Sequence, residues 1–205
     1  IEELRQQFES GQLQIMGEIT AQYAGVAPND PKLEPYYALA EELGVPFCLH
    51  TGFGPPNSPY MGDPDFRMRY GNPLLLEDVL VKHPNLRIYI AHGGYPFIEE
   101  TIAVMMMYPQ VYVDISAINW LLTPEEFHAY LKQLMDARLG QRILFGTDFG
   151  NDLGDIPAGH RRKTVYIEHG QKHIVNLITV HGAVGDDGDL ALHPRVDNKV
   201  AAGHA

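Results

Sequence analysis

Three residues of this 205-residue sequence combine types and positions that could hold a metal ion: His50, His92 and Asp148. Each follows an apolar run and precedes a glycine, in "FCLHTG" (47–52), "YIAHGG" (89–94) and "LFGTDFG" (144–150). Two imidazoles and a carboxylate supply the nitrogen and oxygen donors that suit Zn²⁺ or a similar divalent cation. A single histidine at a strand end is more often hydrogen-bonded than a ligand, and Asp148 after "GT" could cap a loop through its carboxylate. Three such endings at matching places argue instead for one shared site.

The elements that would position them alternate as far as residue 150. The spacing predicts the end of an amphipathic helix over 1–10, stopped by Gly11, then a strand over 13–20. A helix over 30–44 closes at Gly44, and a strand over 45–50 follows. Pro73 opens a helix over 73–84, followed by a strand over 86–92, a helix over 95–109 and a strand over 111–116. Thr123 and Glu126 read as a capping box on a helix over 123–140, and the last clear strand is 142–148. Strands rich in Ile, Val and Leu between helices of this length predict an α/β protein with parallel β/α units. In such an array all strand C-termini lie on one face, where active sites are built. Strand alternation puts Cys48 on the side of His50 and Ile90 on the side of His92, an apolar layer beneath the candidate ligands.

Beyond Asn151 the pattern changes. One strand is plausible, "HIVNLITV" (173–180), and six of the ten histidines fall here. The reading is a first unit over 1–150 and a divergent, loosely ordered tail over 151–205, with the boundary near 150–157. The tail histidines read as scattered surface residues rather than a metal cluster.

Composition narrows the function classes. The 45% hydrophobic and 20% charged residues indicate a globular chain, and no apolar run approaches the length of a membrane span. A net charge of −11 argues against a nucleic-acid partner, which would need clustered Lys and Arg. Cys48 is the single cysteine, which leaves no intrachain disulfide and fits a reducing cytoplasm. No basic segment precedes an apolar one near Ile1, so no signal peptide is visible.

The motifs "LHTG", "AHGG" and "FGTDFG", at these intervals in β/α units, resemble the amidohydrolase superfamily over residues 10–150. The amidohydrolase-related branch, with metal-dependent hydrolases and aminocarboxymuconate-semialdehyde-type decarboxylases, is the most similar. The resemblance implies a (β/α)₈ TIM-type barrel of which strands four to eight are present. His50 would end the fifth strand, His92 the sixth and Asp148 the eighth. It further implies a divalent metal, zinc by preference, on His50, His92 and Asp148, with Glu18 of "GEIT" as a bridging or neighbouring carboxylate. His92 and Asp148 would be catalytic, Asp148 moving the proton of the attacking water.

The expected activity is hydrolysis of an amide, ester or lactone carbonyl in a small-molecule substrate. The alternative is decarboxylation of a carboxylated aromatic or unsaturated acid. In the loop 51–72, Arg67 and Arg69 are candidates to pair with a substrate carboxylate, and Ser116 is a further substrate-binding candidate. The family's first-strand His-x-His pair occurs nowhere in these 205 residues. The expectation is therefore either a catalytically incomplete, truncated homologue or a protein with further residues upstream. A partial barrel would expose apolar inner faces and a sheet edge, so a homo-oligomer is expected.

Overall fold

A computed structural model describes residues 1–146, Asp148 and four later strands. The residues up to 146 contain a five-stranded, wholly parallel sheet: β1 (Met16–Ile19), β2 (Phe47–Leu49), β3 (Ile88–Ile90), β4 (Val111–Asp114) and β5 (Ile143–Leu144). The strands lie in sequence order, β1-β2-β3-β4-β5, the order that five successive strands of a β/α barrel must take. The expected α/β class and parallel β/α connectivity are thus present. The later strands form two antiparallel hairpins, β6 (Val165–Glu168) with β7 (Gln171–Ile174) and β8 (Val180–Val184) with β9 (Leu190–Pro194). The single strand expected over 173–180 is replaced by the end of one strand and the start of another. Residues 175–179 and the expected boundary at 150–157 lie outside the described residues.

The connecting helices are α1 (Glu2–Glu9), α2 (Glu34–Leu43), α3 (Glu77–Lys82), α4 (Ile98–Met107), α5 (Ile118–Leu121) and α6 (Pro124–Asp136). Several begin and end on the signals in the sequence. Gly44 takes the left-handed conformation after α2. Thr123 and Glu126 form both halves of the capping box on α6: the Thr123 Oγ1 accepts from the Glu126 N–H at 3.3 Å, and the Glu126 carboxylate accepts from the Thr123 N–H at 3.1 Å. The short α5 was not expected. Where the sequence predicted one helix over 73–84, Asn72 caps a 3₁₀ turn, Pro73–Leu76, that leads into α3.

The two faces of the sheet differ. Phe47, Leu49, Ile88, Ile90, Val111 and Val113 form one continuous buried core with Tyr37, Leu80, Met105 and Leu134 of the helices. Cys48, Tyr89 and Ala91 form a small cluster on the opposite face, with Ile15, Tyr112 and Leu144 beside it. This corrects one expectation. Cys48 is level with Tyr89 in the parallel register, so Ile90 faces the helices and does not lie beneath His92. His92 escapes the alternation because the chain has already left the strand. It sits in the turn Ala91–Gly94 with φ of 56°. Among the described residues no helix is long and apolar enough to cross a membrane.

Candidate metal centre and its cavity

The residues nearest a shared point come from the ends of three adjacent strands. Glu18 belongs to β1. His50 follows β2 directly, and its N–H donates to the Ile19 carbonyl of β1 at 2.9 Å. His92 follows β3 and is fixed by its turn, whose two glycines, Gly93 and Gly94, both have φ of 65°. A Cβ on Gly93 would run into the Tyr130 hydroxyl, and one on Gly94 into Thr101 Oγ1. Those same hydroxyls hold the turn: Tyr130 donates to the Gly93 carbonyl at 2.6 Å and Thr101 to the same oxygen at 3.0 Å. The "HGG" sequence is therefore needed for close approach as well as for backbone conformation.

One oxygen of Glu18 is the centre of the arrangement. Its Oε1 lies 2.5 Å from His50 Nδ1 and 2.9 Å from His92 Nε2, and the two ring nitrogens are 3.1 Å apart. Both imidazoles are buried. Burial alone would disfavour the Glu18 carboxylate, but the hydrogen bonds from His50 and His92 prevail and hold it far below the usual carboxylate range. Burial likewise pulls His92 down, and the hydrogen bond and negative charge of Glu18 overcome it, raising His92 to about 9.

Behind His92 stands a second layer. Ser116 Oγ donates to Asp114 Oδ1 at 2.6 Å and can then accept from His92 Nδ1–H at 3.0 Å. The same Asp114 oxygen accepts from the backbone N–H groups of Ser116 at 2.9 Å and His92 at 3.1 Å. In a neutral His92 this chain would hold the proton on Nδ1 and leave the Nε2 lone pair for a cation; where His92 is protonated, its Nε2–H donates to Glu18 instead. Carboxylate-backed histidines of this kind are the usual support of a metal ligand.

The donor set fits a divalent cation. Glu18, His50 and His92 each offer one ligand atom, and these atoms all lie within 4.8 Å of one another. Among the described residues His50 Nε2 is buried and has no hydrogen-bond partner, which a carboxylate–imidazole network without an ion leaves unexplained. Three basic groups in contact must be reconciled either by shared protons or by a metal in their place.

The site opens into a cavity of about 840 Å³, lined among others by Glu18, His50, His92 and Asp148. Asp148 is exposed at its mouth, with φ of 58°, outside the mutually close trio. Partial burial raises its carboxyl above the usual range, His92 opposes the rise, and the negative charges of Glu18 and Asp114 add to it. Ser116 is buried behind His92 and does not line the cavity. Nor do Arg67 and Arg69. The Arg67 guanidinium donates to the Pro64 and Phe66 carbonyls, each at 2.8 Å, and that of Arg69 stacks on the Tyr70 ring at 4.7 Å. Sequence reasoning missed Tyr23, Asp63, Asp65 and Trp120, all of which line the cavity. The apolar pair Trp120–Leu121 just beyond the strand end at Asp114 was the available signal.

Comparison with known proteins places these features in a family. The amidohydrolase family model matches residues 14–162. The protein fluG of Emericella nidulans is 25% identical over 111 residues, 54% of this chain and 12% of its own length. A solved structure of an uncharacterised TIM-barrel protein, Bb4693 of Bordetella bronchiseptica, is similar over 60% of this chain and 40% of that one, at 29% identity and a TM-score of 0.48. A probable 2-pyrone-4,6-dicarboxylic acid hydrolase of Acinetobacter baumannii is similar over 69% of this chain and 51% of that one, at 16% identity and a TM-score of 0.46. The chain thus spans about an eighth to a half of the length of these relatives.

Proposed function

The chain belongs to the amidohydrolase family, and from that premise we propose that it is a metal-dependent hydrolase acting on an amide, ester or lactone carbonyl of a small molecule. The observation that carries this reading is the contact of Glu18, His50 and His92 around one carboxylate oxygen, with His50 Nε2 unpartnered among the described residues. These three residues would hold the divalent cation, zinc by preference. When bound, such an ion supplies Lewis-acid polarisation and makes hydroxide available near neutral pH.

The remaining roles fall to the protein's own groups. Asp148 accepts the proton of the attacking water, a task suited to a carboxylate whose affinity for protons is raised. Its exposure at the cavity mouth lets it pass that proton to solvent or to the leaving group. Asp114 and Ser116 hold His92 in one tautomer, so that the ring presents Nε2 throughout.

The experiment is to load the purified full chain with zinc, measure bound metal by elemental analysis, and screen amides, esters and lactones before and after chelation. The proposal expects about one ion per chain and hydrolysis that chelation abolishes. Failure to retain zinc would leave a catalytically incomplete homologue. The aromatic wall formed by Tyr23, Phe53 and Trp120 supports a second reading, decarboxylation of an aromatic acid at the same site. Release of CO₂ from such acids with no hydrolysis of the other substrates would put that reading first.

A further inference from the structure

The turn after β1 carries a tyrosine into the cavity. Tyr23 lies in the 3₁₀ turn Ala21–Ala24, just beyond the strand that bears Glu18. The turn is anchored: the buried Gln22 donates from Nε2 to the Gly52 carbonyl at 3.0 Å, and Gly25 closes it with φ of 70°. The Tyr23 ring meets those of His50 and Phe66 edge to face, with centroids 5.0 Å apart in each pair. It lines the cavity together with Glu18, His50, His92 and Asp148.

The deeply buried tyrosines spend their hydroxyls on the backbone. Tyr37 donates to the Pro28 carbonyl at 2.8 Å and Tyr130 to that of Gly93 at 2.6 Å. Tyr23 is half-buried at the cavity, and no hydrogen bond joins its hydroxyl to another described residue. Gly54, on the loop after β2, makes room for that hydroxyl. It is not one of the glycines with positive φ, so its backbone conformation does not call for glycine. Yet a Cβ there would lie 2.6 Å from the Tyr23 hydroxyl and 2.9 Å from the Phe66 ring. The glycine is needed for space, and the space holds a hydroxyl.

A phenol at neutral pH keeps its proton and donates it in hydrogen bonds. With its ring held from two sides and its O–H unspent, Tyr23 is preorganised for an acceptor oxygen in the cavity. We infer that Tyr23 is a catalytic residue that donates its O–H to the substrate's carbonyl oxygen and holds that oxygen as it becomes an oxyanion. As water attacks the carbonyl carbon, the π pair moves onto the oxygen and the water's proton goes to Asp148. The Tyr23 proton stays on the phenol, in a hydrogen bond that tightens. This role rests on the hydrolytic reading of the site, but the hydrogen bond itself can be measured without turnover.

Tyr23→Phe removes the hydroxyl and keeps the ring contacts, so the variant is expected to fold and to retain zinc like the parent. The first probe is phenyl acetate, hydrolysed by the zinc-loaded full chain. Its kcat should fall about 10²-fold in the variant while KM changes little, the size and form of a lost oxyanion donor. The second is acetophenone, which presents a carbonyl beside a ring and cannot be hydrolysed. Its C=O stretch is followed by difference infrared spectroscopy with zinc-loaded and with metal-free chain. In both forms the band should lie at lower wavenumber on the parent than on the variant.

An identical band on parent and variant, no binding of acetophenone to either form, or an unchanged kcat in an active variant would each overturn the inference. The outcome is separable from that of the hydrolase proposal. A chain that hydrolyses nothing but shows the band difference would sink the reaction and leave Tyr23 as the cavity's carbonyl donor. Hydrolysis that proceeds equally well with either residue would keep the reaction and remove Tyr23 from it.

Discussion

A single carboxylate oxygen, Glu18 Oε1, organises the site, because it meets both imidazoles, whose facing nitrogens are themselves 3.1 Å apart. Removing one ring should therefore empty the centre: His50→Ala is expected to reduce zinc from about one ion per chain to a small fraction of that, by elemental analysis after dialysis. Unchanged metal content would reject His50 as a ligand. Ser116→Ala acts one step further out. It deprives His92 Nδ1–H of its acceptor, and zinc affinity should fall about 10–100-fold in a chelator competition, with Thr at the same position restoring most of it. The residues were unevenly legible. His50, His92 and Asp148 stood out because the same strand-end pattern recurs three times. Glu18 showed only a carboxylate in a short strand, and nothing local marked it as the meeting point. Ser116 was expected to touch substrate. It stands behind His92 instead, because Asp114, two residues earlier, draws its hydroxyl inward.

At the scale of elements, the site depends on turns held by distant helices. The Ala91–Gly94 turn is clamped by Thr101 of α4 and Tyr130 of α6 through the Gly93 carbonyl, so Gly93→Ala should displace His92 and abolish zinc retention even if the variant folds. Circular dichroism checks the fold, and elemental analysis the metal. The end of α4 is fastened differently. Arg142 donates to the carbonyls of Met105 at 2.6 Å and Tyr108 at 3.1 Å, which the helix C-terminus leaves open, and to that of Val111 at the start of β4 at 3.0 Å. Arg142→Ala is expected to cost about 1.5–3 kcal/mol in chemical denaturation, the range for hydrogen bonds from a charged donor. A third tie joins α2 to the segment after α3, where the ring nitrogens of His83 meet Glu41 at 2.7 Å and Glu34 at 3.2 Å. Burial works against the Glu41 carboxylate, while His83 and the Asn85 N–H outweigh it; for Glu34 the hydrogen bond from Lys82 leads. Both carboxyls end below their ordinary value of 4.5. Their contribution is therefore complete above that value and is lost as the pH falls through the lowered folded ones. The stability gap between the protein and its Glu41→Gln variant should accordingly shrink on going from neutral pH to about pH 3, measured by urea titration. Capping boxes and glycine stops were readable from sequence because each is a local signal. The Arg142 and His83 ties were not, since their partners lie more than thirty residues away.

Across the whole molecule, the order of parallel strands was readable because Ile, Val and Leu runs alternated with helical spacings. The fate of the later segment was not. Its hairpins rest on short strands such as "VHGAV" and "LALHP", whose small and polar residues carry no clear period, and the Asp187-Gly188 step between them was the overlooked cue. The cavity was equally hidden, for its walls gather residues from β1, the loop after β2 and α5. The account turns on one claim at this scale, that three strand ends converge to share a divalent cation. Anomalous diffraction at the zinc edge, from crystals of the full chain grown with zinc, tests it most directly. The account predicts a peak bonded to Glu18, His50 and His92 at about 2.0–2.2 Å. Zinc bound only by histidines of the later segment, with no peak among those three side chains, would contradict it.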